Sequence, residues 1–167
     1  MWAGLLLLAC VASCGASKEA EMAGFTLTSE AFADGQPIPP QFTCDGADQA
    51  PPLTWGEPPK GTRSFALVVD DPDAPSGTFR HWGAFDIPAS ARSSSGPFQQ
   101  ALNDFGKVGY GGPCPPNGHG PHHYRFKLFA LGTDRLNLSN PKVADVEAEA
   151  EKNVLGRARL TGTYERR

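Results

Sequence analysis

The sequence has no excess of positive charge and no apolar run long enough to cross a membrane. Its 15 Lys and Arg residues are outnumbered by 18 Asp and Glu residues, which leaves a net charge of −3. We therefore do not expect nucleic acid as a partner, because binding to nucleic acid rests on a basic surface. The apolar run Leu5–Leu8, continued by Ala9, Val11 and Ala12, is shorter than the roughly 20 residues that a transmembrane helix needs.

Common catalytic patterns are missing as well. Ser76 and Ser93–Ser95 lie in loop sequence, without the G-x-S-x-G elbow that exposes a hydrolase nucleophile. The glycine-rich stretch Tyr110–Pro116 continues into prolines, so it lacks the helix that a phosphate-binding P-loop requires. These absences predict a protein that is not an enzyme and that needs no cofactor.

A metal-dependent enzyme is the alternative that the histidines leave open. His119, His122 and His123 could be combined with Asp71 as a metal site, and the cysteines add the option of zinc. Against this, adjacent residues of a strand point to opposite faces, so His122 and His123 cannot converge on one ion. His119 and His123 are four residues apart, but Gly120-Pro121 between them disfavours a helix, so no helical His-x-x-x-His pair brings two rings together. We therefore expect no metal.

The N-terminus has the features of a lipoprotein signal peptide. The apolar run is too short for a membrane span, and Val11-Ala12-Ser13-Cys14-Gly15 matches the bacterial lipobox. We interpret residues 1–13 as the signal peptide, and residues 14–24 as a lipidated Cys14 followed by a flexible polar tether. This predicts an exported, membrane-anchored lipoprotein on the periplasmic or cell-surface face. No basic residue precedes Leu5, so a start upstream stays open, as does an apolar strand with a chance cysteine.

Residues 25–167 have the size of one compact domain and a pattern dominated by strands. The 19 glycines and 16 prolines favour many turns over long helices. Alternating or continuous apolar segments predict strands, and an Asn-Pro start with apolar residues at helical spacing predicts one helix. The predicted elements are strands at Phe25–Ser29, Leu53–Trp55, Ser64–Val69, Trp82–Ile87, Tyr124–Leu131 and Arg159–Tyr164, and a helix at Lys142–Val154. We expect a mainly β sandwich.

Two loops carry the residues with chemistry. The apolar strand that ends at Val69 runs into Asp71-Pro72-Asp73-Ala74-Pro75, which is soon followed by Arg80-His81-Trp82. The second loop, Tyr110–Pro116, leads through Gly118-His119-Gly120 to the next strand at His122. Glycines let the backbone approach a ligand while prolines hold a loop rigid, which suits an anion. Taken singly, each loop could equally be a stiff turn.

Together the two loops resemble the signature regions of the phosphatidylethanolamine-binding protein family, which includes the Raf kinase inhibitor protein. Asp71–Pro75 is the first signature in full, and Gly120-Pro121-His122-His123-Tyr124 is similar to the second, with His123 in the place of an arginine. The resemblance extends from Phe25 to Glu165 and is closest to the bacterial branch. It implies a Greek-key β-sandwich of two antiparallel sheets with one or two short helices.

The resemblance also implies a shallow pocket for phosphate, acetate or a phospholipid headgroup. Animal members have a second pocket histidine two residues after the tryptophan, where this chain has Ala84, and His81 is the candidate substitute. The pocket residues that it implies are Asp71, Asp73, Pro75, His81, Trp82, Tyr110, Gly112, Cys114 through its backbone, Pro116, His122 and Tyr124.

Two carboxylates beside an anion need a physical explanation. Either Asp71 accepts hydrogen bonds from loop N–H groups and from His122, or one carboxyl group is protonated and donates to the ligand. We favour the first, because a proline-stiffened loop needs an acceptor and His122 could donate to the anion through its other nitrogen.

The leading functional prediction is a binding module for a small anionic or phosphorylated ligand. The alternative is an interaction module that inhibits a kinase or a protease, because proteins of the family are known to restrain such enzymes. For the two cysteines of the folded part, Cys44 and Cys114, an exported location would permit a disulfide, and two buried thiols are the alternative.

Overall fold

The computed structural model describes residues 24–167; the predicted signal peptide and Cys14 lie outside the described residues. The described chain contains seven strands, one α-helix and one turn of 3-10 helix at Pro40–Phe42. They are β1 (Leu27–Ser29), β2 (Leu53–Trp55), β3 (Ser64–Asp71), β4 (Phe79–Pro88), β5 (Gln99–Gln100), β6 (His122–Leu131), α1 (Val143–Asn153) and β7 (Val154–Tyr164).

The strands form two antiparallel sheets, which confirms the predicted mainly β fold class. The small sheet pairs β1 with β2, and the large sheet has the order β5-β4-β3-β6-β7. Strands β3, β4 and β5 are consecutive neighbours, and β6 returns by a long connection to lie on the other side of β3. This order, fourth strand beside the first, is the Greek key. The long connection contains the second of the two predicted loops.

Strand β3 lies at the centre because both of its faces are apolar. All eight of its residues are buried, as the continuous apolar run predicts. Phe65, Leu67 and Val69 face the main core with the small sheet, whereas Ala66 and Val68 face a second core under the helix. One strand therefore supports both layers, and its end carries Asp71 to the edge of the main core.

Strand β6 follows the predicted alternation closely. Tyr124, Phe126, Leu128 and Ala130 all face the main core and are at most 1% exposed. Strand β7 pairs with β6 along nearly its whole length, with His122 opposite Tyr164. The hydrogen-bonded ladder therefore places His122 and Tyr124 on the same face, two residues apart.

The helix and the last strand differ from the predicted bounds. Helix α1 begins at Val143, one residue after the predicted start at Lys142. Pro141 lies before the helix, and its carbonyl accepts the N–H of Leu102 at 2.9 Å. The helix ends at Asn153, and Val154 already belongs to β7, five residues earlier than the predicted start at Arg159. Val143, Val146 and Ala150 form the buried face of the helix, as their spacing predicts.

No helix within residues 24–167 is both long enough and apolar enough to span a membrane.

Candidate ligand-binding site

The loop after β3 holds Asp71 in a fixed orientation. The N–H of Asp73 donates to Oδ1 of Asp71 at 2.8 Å, a turn in which the side chain bonds to the backbone two residues on. Pro72 between them restricts the backbone further. The other oxygen of Asp71, Oδ2, lies 2.6 Å from Nδ1 of His122. This is the arrangement that we favoured from the sequence, with Asp71 as an acceptor.

The Asp71–His122 pair is withdrawn from solvent. The side chain of His122 is 2% exposed and that of Asp71 is 4% exposed. Because both oxygens of Asp71 face donors, we describe Asp71 as the carboxylate and Nδ1 of His122 as the protonated nitrogen. The pair orients the imidazole ring, so that Nε2 is the nitrogen left for other partners.

A β-bulge brings His81 to the same site. Val69 pairs with Trp82 and Asp70 pairs with Arg80, so His81 is the extra residue of β4 at this point. A bulge changes the direction of a side chain relative to simple alternation. The ring of His81 packs edge-on against Tyr124 at 5.2 Å, and its carbonyl accepts the N–H of Gly111 at 2.9 Å. The bulge thus joins β4 to the long connection.

The environment of His81 keeps its ring neutral. Burial lowers the pKa of His81, and the opposing effects of the Gly111 carbonyl and of Asp71 are smaller. Nδ1 of His81 lies 2.8 Å from the carbonyl oxygen of Gly111, which can only accept a hydrogen bond. In the neutral ring the proton is therefore on Nδ1, and Nε2 is an acceptor.

Tyr124 supplies the unusual polar atom of the site. Its hydroxyl is buried, and it is the one buried side-chain N or O atom of the described residues that has no hydrogen-bond partner. Burial and the nearby charge of Asp71 raise the pKa of Tyr124, so the hydroxyl keeps its proton. The Cys114 backbone and the Asp71 carboxylate lie close enough to influence this pKa, but neither meets the geometry of a hydrogen bond to the hydroxyl. A buried unpaired hydroxyl costs about 1–3 kcal/mol, and at a cavity wall it is a donor that a ligand can satisfy.

These groups line a cavity of about 180 Å³ between the loop after β3 and the long connection. Asp71, His81, His122 and Tyr124 provide its polar atoms. The remaining walls are mostly apolar and come from Ala74, Pro75, Phe79, Phe105, Cys114, Pro115 and Pro116. The structure therefore brings together seven of the eleven predicted pocket residues.

Four predicted pocket residues lie outside the cavity. Trp82 donates its Nε1 to Oε1 of Gln100 at 2.7 Å. The hydroxyl of Tyr110 donates to the carbonyl of Phe42 at 2.7 Å, and the N–H of Gly112 donates to Oδ1 of Asp48 at 2.7 Å. Asp73 turns outward to His123, whose backbone N–H and Nδ1 both contact its Oδ2.

Two of the four fix the long connection in place. Tyr110 and Gly112 attach it to residues 42–48, where a Cβ on Gly112 would lie 2.4 Å from the carbonyl oxygen of Phe42. This close approach leaves no room for a side chain, which explains why residue 112 is a glycine. The disulfide between Cys44 and Cys114 joins the same two segments, so the structure presents the oxidised form of this pair.

Two aromatic residues that line the cavity were not predicted from the sequence. Phe79 and Phe105 pack edge-on against each other at 4.7 Å and against His81 at 5.1 and 5.2 Å. Phe79 is the first residue of β4 and precedes the predicted strand start at Trp82. Phe105 follows Asn103, whose Oδ1 accepts the N–H groups of Phe105 and Lys107. No local pattern marks either residue as part of a pocket.

His119 is the hydrogen-bond partner of the second ring nitrogen of His122. Nδ1 of His119 lies 2.7 Å from Nε2 of His122, while the His119 residue itself is exposed. His123 points away, as the strand alternation predicts. Within residues 24–167 no three His, Cys, Asp or Glu side chains are grouped to hold a metal ion.

A larger groove of about 660 Å³ lies elsewhere, between Pro37–Pro40 and the end of β7. Its charged residues are already paired with one another, Arg166 with Asp45 and Arg167 with Glu165. Size alone does not identify a site. We place the candidate site at the smaller cavity, where a buried hydroxyl lacks a partner.

A Greek-key sandwich with a small half-polar cavity at one end of its large sheet defines the class of protein, and comparisons with known proteins agree. The family model described as phosphatidylethanolamine-binding protein matches residues 28–165. The chain is 46% identical over 148 residues to a UPF0098 protein of Aquifex aeolicus, covering 83% of this chain and 86% of the relative.

Two further relatives are informative. The chain is 46% identical over 147 residues to "Putative lipoprotein LppC" of Mycobacterium tuberculosis, covering 84% of this chain and 72% of that protein. The crystal structure of E. coli YbcL, described as a new member of the mammalian PEBP family, superposes with a TM-score of 0.82 at 35% identity. It covers 86% of this chain and 99% of YbcL. The chain belongs to the phosphatidylethanolamine-binding protein family, and this membership supports a ligand-binding or interaction module.

Proposed function

We propose that the protein is a non-enzymatic binding module that holds a small anionic group, inorganic phosphate or a phosphorylated headgroup, in the cavity at Tyr124. The observation that carries the proposal is the unpartnered hydroxyl of Tyr124. A buried donor that no protein atom satisfies is stabilised by an acceptor from a ligand. Phosphate and carboxylate oxygens are strong acceptors, and a hydrogen bond to a charged group is stronger than one between neutral groups.

The charge of the site can be balanced by one proton. No Lys or Arg side chain is among the described residues that line the cavity. An anion beside an ionised Asp71 would therefore be repelled unless His122 carries a positive charge. A protonated His122 neutralises Asp71 and offers its second nitrogen as a donor. Histidine is the side chain that can gain this charge near neutral pH.

The size of the cavity limits the ligand to a small group. Pockets that enclose drug-sized molecules measure roughly 300–1,000 Å³, whereas this cavity measures about 180 Å³. It has room for a phosphate or a short headgroup, and the remainder of a larger molecule would have to stay outside. The apolar walls from Phe79, Phe105 and the prolines would exclude water from the hydrogen bonds that the ligand makes.

We also propose that the module is anchored to a membrane by lipid on Cys14 and that residues 15–24 act as its tether. The lipobox at Val11–Cys14 supports this, as does the similarity to a protein named as a lipoprotein. Replacement of Cys14 by Ala should abolish incorporation of labelled fatty acid and partition into membranes. An unlabelled wild-type chain that stays in the aqueous fraction would reject the anchor.

The test of ligand binding is calorimetric titration of the Tyr124→Phe variant. Loss of one hydrogen bond to a charged group should weaken binding of inorganic phosphate or phosphoethanolamine by about ten- to a hundredfold. The same variant should unfold at an equal or higher temperature, because it removes an unpaired buried polar atom. This combination separates loss of a ligand contact from damage to the fold.

Tyr164→Phe is the matched control, since that hydroxyl donates to Asp45 outside the cavity. It should bind both probes as the wild type does. Comparison of the two probes distinguishes free phosphate from a headgroup as the preferred form. If the wild type and Tyr124→Phe bind both probes with equal affinity, the proposed binding site at Tyr124 is wrong.

A further inference from the structure

The Asp71–His122 pair extends to a third residue that the proposed binding mode does not use. Asp71 Oδ2, His122 Nδ1, His122 Nε2 and His119 Nδ1 form a continuous chain, with contacts of 2.6 and 2.7 Å. Asp71 and His122 are buried, whereas His119 lies at the surface. The nitrogen of His122 that an anion would need is therefore occupied by a side chain of the protein itself.

The proton count of this chain is constrained by its contacts. Nδ1 of His122 donates to Asp71, so in the neutral ring Nε2 is an acceptor and the proton between the two histidines belongs to Nδ1 of His119. In this state His122 has no N–H to offer a ligand. The cavity then has one free donor, the hydroxyl of Tyr124, because neutral His81 presents only an acceptor nitrogen.

The position of His119 allows it to leave without disturbing the core. It precedes β6 and is not paired in the sheet. Gly118 and Gly120 on either side have φ of +72° and +86°, a region that glycine adopts without strain. Its N–H is bonded to the carbonyl of Pro116 at 3.2 Å, a local turn contact that does not involve the ring.

We propose that His119 is a displaceable cap on His122, which an entering anion replaces at Nε2. This inference rests on the proposed function, because it concerns how the same cavity admits its ligand. As the cap leaves, the Nδ1 proton of His119 passes to Nε2 of His122, and His119 takes one proton from water on its own Nε2. The net change is uptake of one proton, which leaves His122 as a cation between Asp71 and the anion.

The charged and titratable groups around Asp71 and His122 are consistent with the uptake of one proton. Asp71 faces His122 directly, and Asp73 is engaged by His123. Arg166, whose carbonyl accepts the N–H of Gly118, is paired with Asp45. His81 and Tyr124 face His122 across the cavity as neutral groups. Among residues 24–167, Asp71 is the one unbalanced charge that contacts His122.

The test is a titration of the full chain and its His119→Ala variant with inorganic phosphate and with phosphoethanolamine. Removing the cap should raise affinity about three- to tenfold, since the ligand no longer competes with an ordinary hydrogen bond. His123→Ala is the matched control, because that ring is exposed and contacts Asp73 outside the cavity; it should bind as the wild type does.

A second readout distinguishes a cap from a merely structural neighbour. Nitrogen chemical shifts of the two rings should show His119 losing its bonded Nδ1 proton when phosphate binds, while His122 becomes doubly protonated. A His119 signal that does not change on binding would contradict displacement, whatever the affinity.

The outcomes also separate this inference from the proposed function. If the wild type binds and His119→Ala binds equally or more weakly, His119 is a bystander or a direct donor, and only the cap is rejected. If neither chain binds either probe, both proposals are rejected. Tighter binding by His119→Ala together with the His119 signal change supports the cap.

Discussion

Single residues at the cavity show how burial sets the properties of a site. His81, His122 and Tyr124 are all buried, yet their partners differ: a carbonyl for His81, a carboxylate for His122 and none for Tyr124. A carbonyl favours a neutral ring oriented by Nδ1, while a carboxylate favours a ring that can be charged. The same residue type therefore presents an acceptor nitrogen in one place and a ring oriented by a carboxylate in the other.

The buried His81 should make stability depend on pH. Burial lowers the pKa of His81 below the usual 6.5, so as pH falls below that value the unfolded chain binds a proton that the folded chain does not. Its contribution is thus fully present above pH 6.5 and is lost as pH falls toward the lowered pKa. We expect the free energy of unfolding to decrease between pH 7.5 and 5.5, measured by urea denaturation.

His81→Gln serves as the comparison, because glutamine can still donate to Gly111 but does not titrate. The decrease over this pH range should be smaller in the variant. An identical pH dependence in both proteins would mean that His81 takes up its proton equally in the folded and unfolded states.

At the scale of elements, an ion network links the sheet to the helix. Asp70 on β3 is 1% exposed in its side chain, and it accepts hydrogen bonds from Arg125 and Lys127 on β6. Lys127 also contacts Glu147 on α1. Burial alone would raise the pKa of Asp70, but the two cations outweigh it and lower that pKa. The network therefore connects β3, β6 and α1 through side-chain ion pairs.

Replacement of Asp70 by Asn should therefore destabilise the protein. Breaking a buried pair costs about 3–5 kcal/mol, but Arg125 and Lys127 are 32% and 19% exposed and can regain water. We expect a loss of about 2–3 kcal/mol in the free energy of unfolding at neutral pH, measured in urea.

Asp134→Asn is the control for a surface pair, since Asp134 and its partner Arg63 are both more than half exposed. Its effect should stay below about 1 kcal/mol. Comparable losses in the two variants would show that the Asp70 network behaves as an ordinary surface interaction.

At the scale of the whole molecule, distant segments are assembled around the end of the large sheet. The disulfide joins Cys44 and Cys114, which are 70 residues apart, and Cys114 lines the cavity. A cross-link across a loop of this length contributes about 4 kcal/mol in the chain-entropy model. The bridge therefore stabilises both the fold and the pocket wall.

The double replacement of Cys44 and Cys114 by Ser should lower stability by about that amount and weaken binding of phosphate. Cys44 is exposed, so a dithiol reductant should shift the melting temperature of the wild type in the same direction. The reductant should have no effect on the double variant. Free, alkylatable thiols in freshly exported protein would show that the bridge does not form there.

The sequence predicted much of the fold because local patterns are strong in its central strands. Ser64–Val69 and Tyr124–Leu131 carry apolar residues where the two faces of the sheet require them, and both became the core of the large sheet. The start of β7 was missed, since Val154 could continue the helix as well as begin a strand. The two-residue strand β5 leaves too short a pattern to detect.

What the sequence by itself determined is the family, the mainly β class and the two loops that meet at the pocket, because these depend on residues close together in the chain. Tertiary structure alone decided that a bulge turns His81 toward Tyr124, that Tyr110 and Gly112 hold the long connection, and that His119 covers His122. These contacts join residues whose relative positions are set by strand register and loop closure. No local pattern encodes those distances, because each is the result of packing the whole chain.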